Sequence, residues 1–266
     1  MISQAPEGLE IIVIDNGSRD DTAGFVKKNY SNVILIENRI NLGACKARNQ
    51  GIEISKGSWV MTLDSDVVLG KDFFAGIHEA ISSAPGSIGI IQPKILKEDR
   101  KTIYSAGIHL SFLRRFYDIG KGKPDGARYF EPAFCFGACS ACAIYRRKML
   151  DEVKEKNGYF DEKFFFLVED VDLSWRAQRK GWKTIFYPAA ACYHFGNSSA
   201  FSEEIRQYLC FYNRYAMIKK NEGLMGKLKL FSLGFFYDAP RIFYIAGTNK
   251  YFRRGLKIAN SGNAQH

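Results

Sequence analysis

The sequence predicts an α/β layer fold with a mainly parallel central sheet, and three observations predict it. Short apolar runs rich in β-branched residues alternate with segments of helical spacing through the first two-thirds of the chain. Two of those runs end directly on acids, Asp15 and Asp64. Near residue 200 the alternation gives way to a basic, aromatic-rich tail of helical character.

In chain order, residues 9–14 form a continuous apolar run, expected as a strand buried on both faces. Asp15-Asn16-Gly17-Ser18 breaks it, and residues 20–30 have helical spacing. A short strand is expected at 33–36, a helix at 42–55, and a strand at 59–63 running into Asp64-Ser65-Asp66. Residues 73–81 read as a helix, and 184–187 as a strand before Pro188. In sheets of this kind ligands bind beyond the carboxyl ends of the strands, so Asp15 and Asp64 are expected at one edge. The expected division is a catalytic domain over residues 1–200 and a helical, basic extension over 201–266.

The chain of 266 residues carries a formal charge of +10, with 46% hydrophobic and 25% charged residues. Such a composition argues against wholesale disorder. A basic balance suits nucleic acid, an anionic membrane surface or phosphorylated small molecules. No nucleic-acid-binding module is recognisable, and nucleic acid would not explain acids at strand ends. Between residues 219 and 258, nine Lys and Arg face two acids, Glu222 and Asp238, among Phe, Tyr, Leu and Ile. That tail suits either the surface of an anionic membrane or a packed helical extension with a solvated basic face. The run at 231–236 is too short to span a bilayer. The opening residues show no secretory signal, so the six cysteines are expected as reduced thiols in the cytoplasm. Cys139 and Cys142 have the spacing of half a zinc knuckle, but no second such pair exists and the segment is apolar.

Three clusters carry chemistry. Asp64 and Asp66, two apart after a strand, can offer oxygen ligands to a hard divalent cation shared with phosphate. Glu169-Asp170-Val171-Asp172 opens a helical pattern; the helix dipole would stabilise one such acid, but three after the aromatic run Phe164-Phe165-Phe166 suggest a tuned general base. His194 precedes Gly196 and a polar stretch, Asn197-Ser198-Ser199, which suggests a ligand on a loop at a strand end.

Together these pieces resemble the family 2 inverting glycosyltransferases, especially the rhamnosyltransferase-like branch that builds bacterial surface polysaccharides. The resemblance rests on the segment from Ile11 to Ser18, on Asn41-Leu42-Gly43 with Arg48-Asn49-Gln50-Gly51, and on Leu63-Asp64-Ser65-Asp66-Val67. It continues through Gly137-Ala138-Cys139, Arg146-Arg147, Phe160-Asp161-Glu162, Glu169 to Leu173, Arg176, Gly181, Tyr187-Pro188-Ala189 and His194. It implies a GT-A fold and a reaction that moves a sugar, with inversion, from a nucleoside-diphosphate donor to a saccharide or lipid-linked saccharide. It implies donor contacts from Asp15, Asn41, Arg48, Asp64 and Ser65. It also implies Mg²⁺ or Mn²⁺ on Asp64, Asp66 and His194. Asp170 is implied as the base with Glu169 beside it, and Glu169, Asp172 and Gly137 as acceptor contacts. The implied place of action is the cytoplasm or the inner face of the cell membrane. Family members usually carry a further strand and helix before the segment at 9–14, and this sequence starts after them. A homologue that keeps the fold and binds donor weakly, without catalysis, is therefore the alternative expectation. A nucleotidyltransferase would need a glycine-rich, Lys-bearing phosphate loop near the start, for which Gly43-Ala44-Cys45-Lys46 is a poor substitute.

Overall fold

The computed structural model describes residues 6–196 and 201–254, without the side chains of residues 229–234. The chain opens with β1 (Ile12–Asp15), α1 (Thr22–Asn29) and β2 (Ile34–Glu37). β1 and β2 pair in parallel as a two-stranded sheet of their own. Because β1 is paired along one edge only, Ile12, Val13 and Ile14 are half-buried, not buried on both faces as their sequence suggests. α2 (Ala44–Ile54) packs on this pair, with Gly51 facing Ile12 and Ile14.

Then follow β3 (Trp59–Leu63), β4 (Val67–Leu69), α3 (Phe73–Ser83), β5 (Ile88–Lys97) and β6 (Ile103–Ser105). A small hairpin, β7 (Ile108–Leu110) with β8 (Phe116–Asp118), precedes β9 (Ala133–Cys135), β10 (Cys142–Arg146) and α4 (Arg147–Val153). The catalytic-helix candidate is α5 (Glu169–Arg179), followed by the long β11 (Lys183–His194). The tail forms α6 (Glu203–Asn221), α7 (Leu224–Thr248) and α8 (Lys250–Arg254). The α/β class and the helical tail are as expected.

The main sheet runs β3-β10-β5-β11-β4, with β6 on β5 and β9 on β11. Its pairing is mixed, not mainly parallel: within it only β5 and β11 pair in parallel. The cause lies in β10, which enters reversed between β3 and β5 after the hairpin region, without the helical crossover that parallel neighbours require. β3, β5 and β11 nevertheless share one direction, so their carboxyl ends carry Asp64, Lys97 and His194 to the same side. Asp15 lies on the separate two-stranded sheet, and α2 makes the link between the two.

Alternation along the central strands sorts the core into two layers. Ile90, Ala143 and Tyr145 face a cluster with Phe160, Leu173 and Trp175. Ile91, Cys142 and Ile144 face the α3 side, with Phe73 and Ile77. Met217 and Ile218 of α6 belong to the first cluster, so α6 is packed into the core beneath the main sheet. No helix among the described residues is long and apolar enough to cross a membrane.

Candidate active site

β3 ends at Leu63, and the turn at Asp64–Asp66 reverses the chain into β4, which pairs with the end of β11. Val67 thereby stands opposite His194, and the Asp66 Oδ1 to His194 Nε2 distance is 3.5 Å. One ligand atom from each of Asp64, Asp66 and His194 lies within 4.8 Å of the others. Two carboxylate oxygens and an imidazole nitrogen fit a divalent cation, with His194 Nδ1 buried and left without a hydrogen-bond partner. The Tyr104 ring stacks on the imidazole, centroids 4.2 Å apart and planes at 24°, which fixes the ring orientation. A cavity of about 390 Å³ opens beside it, lined by Lys97, Glu98, Asp99, Tyr104, His194, Phe195 and Gly196. His194 is the last residue of β11, not a loop residue; a shift in strand register between Tyr187 and Ala191, at Pro188, lets the strand continue past the proline. The stretch 197–199 lies outside the described residues.

Arg48, on α2, joins this cluster to the start of α5. Its guanidinium donates to Asp64 Oδ1 at 2.8 Å and to Glu169 Oε1 at 2.6 Å. Burial alone would weaken the guanidinium's hold on its proton, but the two carboxylates outweigh it and the pKa stays above its ordinary value. Glu169 also accepts from Ser140 Oγ at 3.3 Å, and its Oε2 is buried without a hydrogen-bond partner. Asp170 accepts from the backbone N–H of Val171 at 2.8 Å and of Ser140 at 3.3 Å. Burial, then the charges of Glu169 and Asp118, push the Asp170 carboxyl up to about 7; the Ser140 N–H and Arg48 pull the other way. A carboxyl tuned near neutral pH is what a general base needs.

The bend before α5 is strained. Phe165, Leu167 and Val168 have φ of 61°, 69° and 75°, a region costly for side chains other than glycine and most so for β-branched Val168. Each such residue costs on the order of 1–3 kcal/mol and persists only when its surroundings hold it. The positive φ of Gly43 also belongs here: a Cβ there would come within 2.7 Å of the Phe165 carbonyl oxygen, which the Cys45 N–H approaches at 3.3 Å.

Asp15 and Asn41 lie in a second network. Asp15 Oδ1 accepts from the Ser18 N–H at 3.1 Å, and Asn41 accepts from Asn16 Nδ2 at 3.1 Å. Ser65 is exposed at the tip of the turn. Two of the expected acceptor contacts face inward instead. Asp172 is fully buried, its carboxylate filled by Arg176, Lys220 and Asn221 at 2.7–2.9 Å. Gly137 is packed against α5, where a Cβ would lie 2.2 Å from Ser174 Oγ. Its small size lets the loop at 137–140 approach α5 and bring Ser140 to Glu169 and Asp170. Sequence reading missed Ser140, Tyr104 and Asp118, because no local pattern marks a residue that matters through a neighbour far along the chain.

The cysteines are free thiols, and burial holds those of Cys45, Cys135 and Cys139 above the ordinary range. Among the described residues, the one cluster able to hold a metal contains no cysteine.

The architecture is a GT-A type fold. Over residues 1–154 the chain matches the family model described as "Glycosyl transferase family 2", and it belongs to that family. It is 28% identical over 208 residues to the N-acetylglucosaminyl-diphospho-decaprenol L-rhamnosyltransferase of Mycobacterium tuberculosis, covering 70% of this chain and 66% of that one. It is 24% identical over 196 residues to the poly-beta-1,6-N-acetyl-D-glucosamine synthase of Staphylococcus aureus, covering 70% of this chain but 43% of the relative. The chain thus spans less than two-thirds of either relative's length. In fold it is similar to GalNAc-T7, solved with UDP, GalNAc and Mn²⁺ (TM-score 0.59, 17% identity, 82% of this chain and 44% of that one). It is also similar to a mannosyltransferase from Pyrobaculum calidifontis in complex with GDP-Man and Mn²⁺ (TM-score 0.55, 16% identity, 95% and 67%).

Proposed function

We propose that this chain transfers a hexose, with inversion, from a nucleoside-diphosphate donor to a hydroxyl of a saccharide or lipid-linked saccharide in cell-surface polysaccharide synthesis. The observation that carries the reading is the pairing of a neutral-range carboxyl, Asp170, with the Asp64–Asp66–His194 cluster, joined through Glu169 and Arg48. In this reading Asp170 takes the proton of the acceptor hydroxyl as its oxygen attacks the anomeric carbon. Glu169, with one oxygen free of partners, accepts from a second acceptor hydroxyl. Arg48 holds negative charge at the donor end, and the amides around Asp15 and Asn41 receive the nucleoside. A divalent ion on Asp64, Asp66 and His194, Mn²⁺ or Mg²⁺, would offset charge on the departing diphosphate. The M. tuberculosis relative makes L-rhamnose onto a polyprenyl-diphosphate-linked sugar the first transfer to try. The test is a screen of UDP-, dTDP- and GDP-sugars with Mn²⁺. Asp170→Asn should abolish transfer and leave donor binding nearly intact; transfer surviving in that variant removes Asp170 from the reaction.

The tail supplies a membrane-surface partner in the same proposal, at the cytoplasmic face. Leu224, Met225, Leu228, Phe235, Phe236, Ile242 and Phe243 of α7 are exposed, Phe236 at 81% and Phe243 at 77%. At 3.6 residues per turn they fall on roughly one-third of the helix circumference. Exposed Lys227, Lys250, Arg253 and Arg254 supply positive charge around that stripe. Replacing Phe236 and Phe243 by Asp should release the protein from anionic vesicles; equal binding by the variant refutes this part.

A further inference from the structure

α6 reaches the active site through one residue that the reaction itself does not use. Asn213 is 1% exposed, and its side-chain amide donates to the carbonyl oxygens of Phe164 at 3.1 Å, Phe166 at 2.9 Å and Leu167 at 2.9 Å. An amide nitrogen has two hydrogens, so one of them is shared between two carbonyls. The Phe165 oxygen is taken by the Cys45 N–H and the Val168 oxygen by the Asp172 N–H. Every carbonyl from 164 to 168 is therefore satisfied: Asn213 reaches three of them, and of these the Phe164 oxygen also accepts from the Phe166 N–H at 2.6 Å.

These are the residues of the strained bend, with Phe165, Leu167 and Val168 in the left-handed region. Three such residues in four positions cannot be expected from the local sequence, and something outside the segment must hold them. One turn further along α5, the same helix α6 holds Asp172 through Lys220 and Asn221. Residues 213, 220 and 221 are spaced by seven and eight, which places them on one face of α6. That face grips the bend and the first turn of α5, and Glu169 and Asp170 lie between the two grips.

We propose that Asn213 is a positioning residue for the catalytic carboxylates: its amide holds the bend at 164–168 in the left-handed conformation that aims Asp170. The proposal rests on the reading of Asp170 as the base. Its consequence is that the helical tail is part of the catalytic apparatus in its first helix, whatever α7 and α8 do.

The test uses the full chain and the variant Asn213→Leu, which keeps the branched shape of the side chain and removes the donor. Hydrogen exchange read by mass spectrometry over residues 162–172 should become about tenfold faster, with exchange in the central strands unchanged. The titration midpoint of Asp170, followed by carboxyl-carbon NMR, should fall as water reaches the bend. Binding of UDP with Mn²⁺ should stay within twofold of the parent, while transfer with the donor found active in the screen should fall at least tenfold. Tyr212→Ala, a half-exposed neighbour on α6, should leave all four readouts unchanged. Should Asn213→Leu not fold, Asn213→Ser keeps one donor, and its exchange should fall between those expected of Leu and parent. Unchanged exchange over 162–172 in a folded Asn213 variant overturns the clamp. Faster exchange with unaltered transfer, in a protein that Asp170→Asn inactivates, overturns the positioning role. Activity surviving in Asp170→Asn instead removes the reading of Asp170 as base, and exchange with UDP–Mn²⁺ binding still decides the clamp.

Discussion

Tyr104 lies face to face with His194, the two rings 4.2 Å apart at 24°. Lys121 sits over the other partner of that stack, its Nζ 4.8 Å from the Tyr104 ring centroid and 2.8 Å from Asp118. A ligand imidazole held by an outer group binds metal better than a free one, and loss of such support costs about tenfold or more in affinity. Tyr104→Ala should therefore weaken Mn²⁺ binding by about that factor in calorimetry, while Tyr104→Phe, which keeps the ring, should bind within about twofold. Equal affinity for the Ala variant would show that Tyr104 does not support the site.

Asp170 predicts two pH dependences of opposite sense. As a base it must be ionised, so transfer should rise with pH through about 7. Stability should move the other way. An unfolded aspartate loses its proton near 3.9, whereas the folded carboxyl keeps it up to about 7, so folding takes up a proton between those values. This contribution to stability is full below about 4 and is lost as pH rises through about 7. Asp170→Asn should flatten that slope and raise the melting temperature at pH 8 by a few degrees, read from thermal melts at pH 5 and pH 8.

Arg48 neutralises two carboxylates at once, one of them, Glu169, with a side chain 5% exposed. Removing one partner of a buried ion pair leaves an uncompensated charge and costs about 3 kcal/mol. Arg48→Ala should show that loss in urea denaturation and should also weaken UDP binding. Arg48→Lys should lose less, because it keeps a positive charge beside the acids, but it should still fall short of the parent, because a single ammonium cannot reproduce the fork that spans both.

Gly137 offers a steric test. Gly137→Ala forces a methyl group to within 2.2 Å of Ser174 Oγ and should cost about 1–3 kcal/mol. Transfer should fall as well, since the same loop brings Ser140 to Asp170. Adding Ser174→Gly makes room and should restore part of both losses, giving a coupling in the double-mutant cycle well outside error. Additive losses would mean that the contact between Gly137 and Ser174 is not the cause.

Much of this was legible in the sequence where a feature is local. The strand at Trp59–Leu63 lies where its apolar run predicts, though half-buried at the edge of the main sheet, and the following acids end it. Asp64, Asp66 and Glu169–Asp172 likewise sit at element ends that their patterns mark. Pairing direction was not legible, since the residues of β10 look the same whichever way the strand enters the sheet. Nor was the inward turn of Asp172, which depends on Lys220 and Asn221 some fifty positions later. Asn213 shows the limit most plainly: an asparagine in a helix is usually solvated, and only the carbonyls of a distant bend give it work.

The ties that build the site are long in sequence, with consequences for how it comes into being. Arg48 and Glu169 are separated by 121 positions, and Lys46 and Glu162 by 116. Closing such spans before their contacts reward them makes folding slow. During synthesis, Asp64, Asp66 and His194 cannot assemble until β11 has paired with β5, and the bend before α5 cannot be held by Asn213 until α6 has left the ribosome. A nascent chain that stops short of Asn213 would carry all the acids of the site and still be unable to aim them.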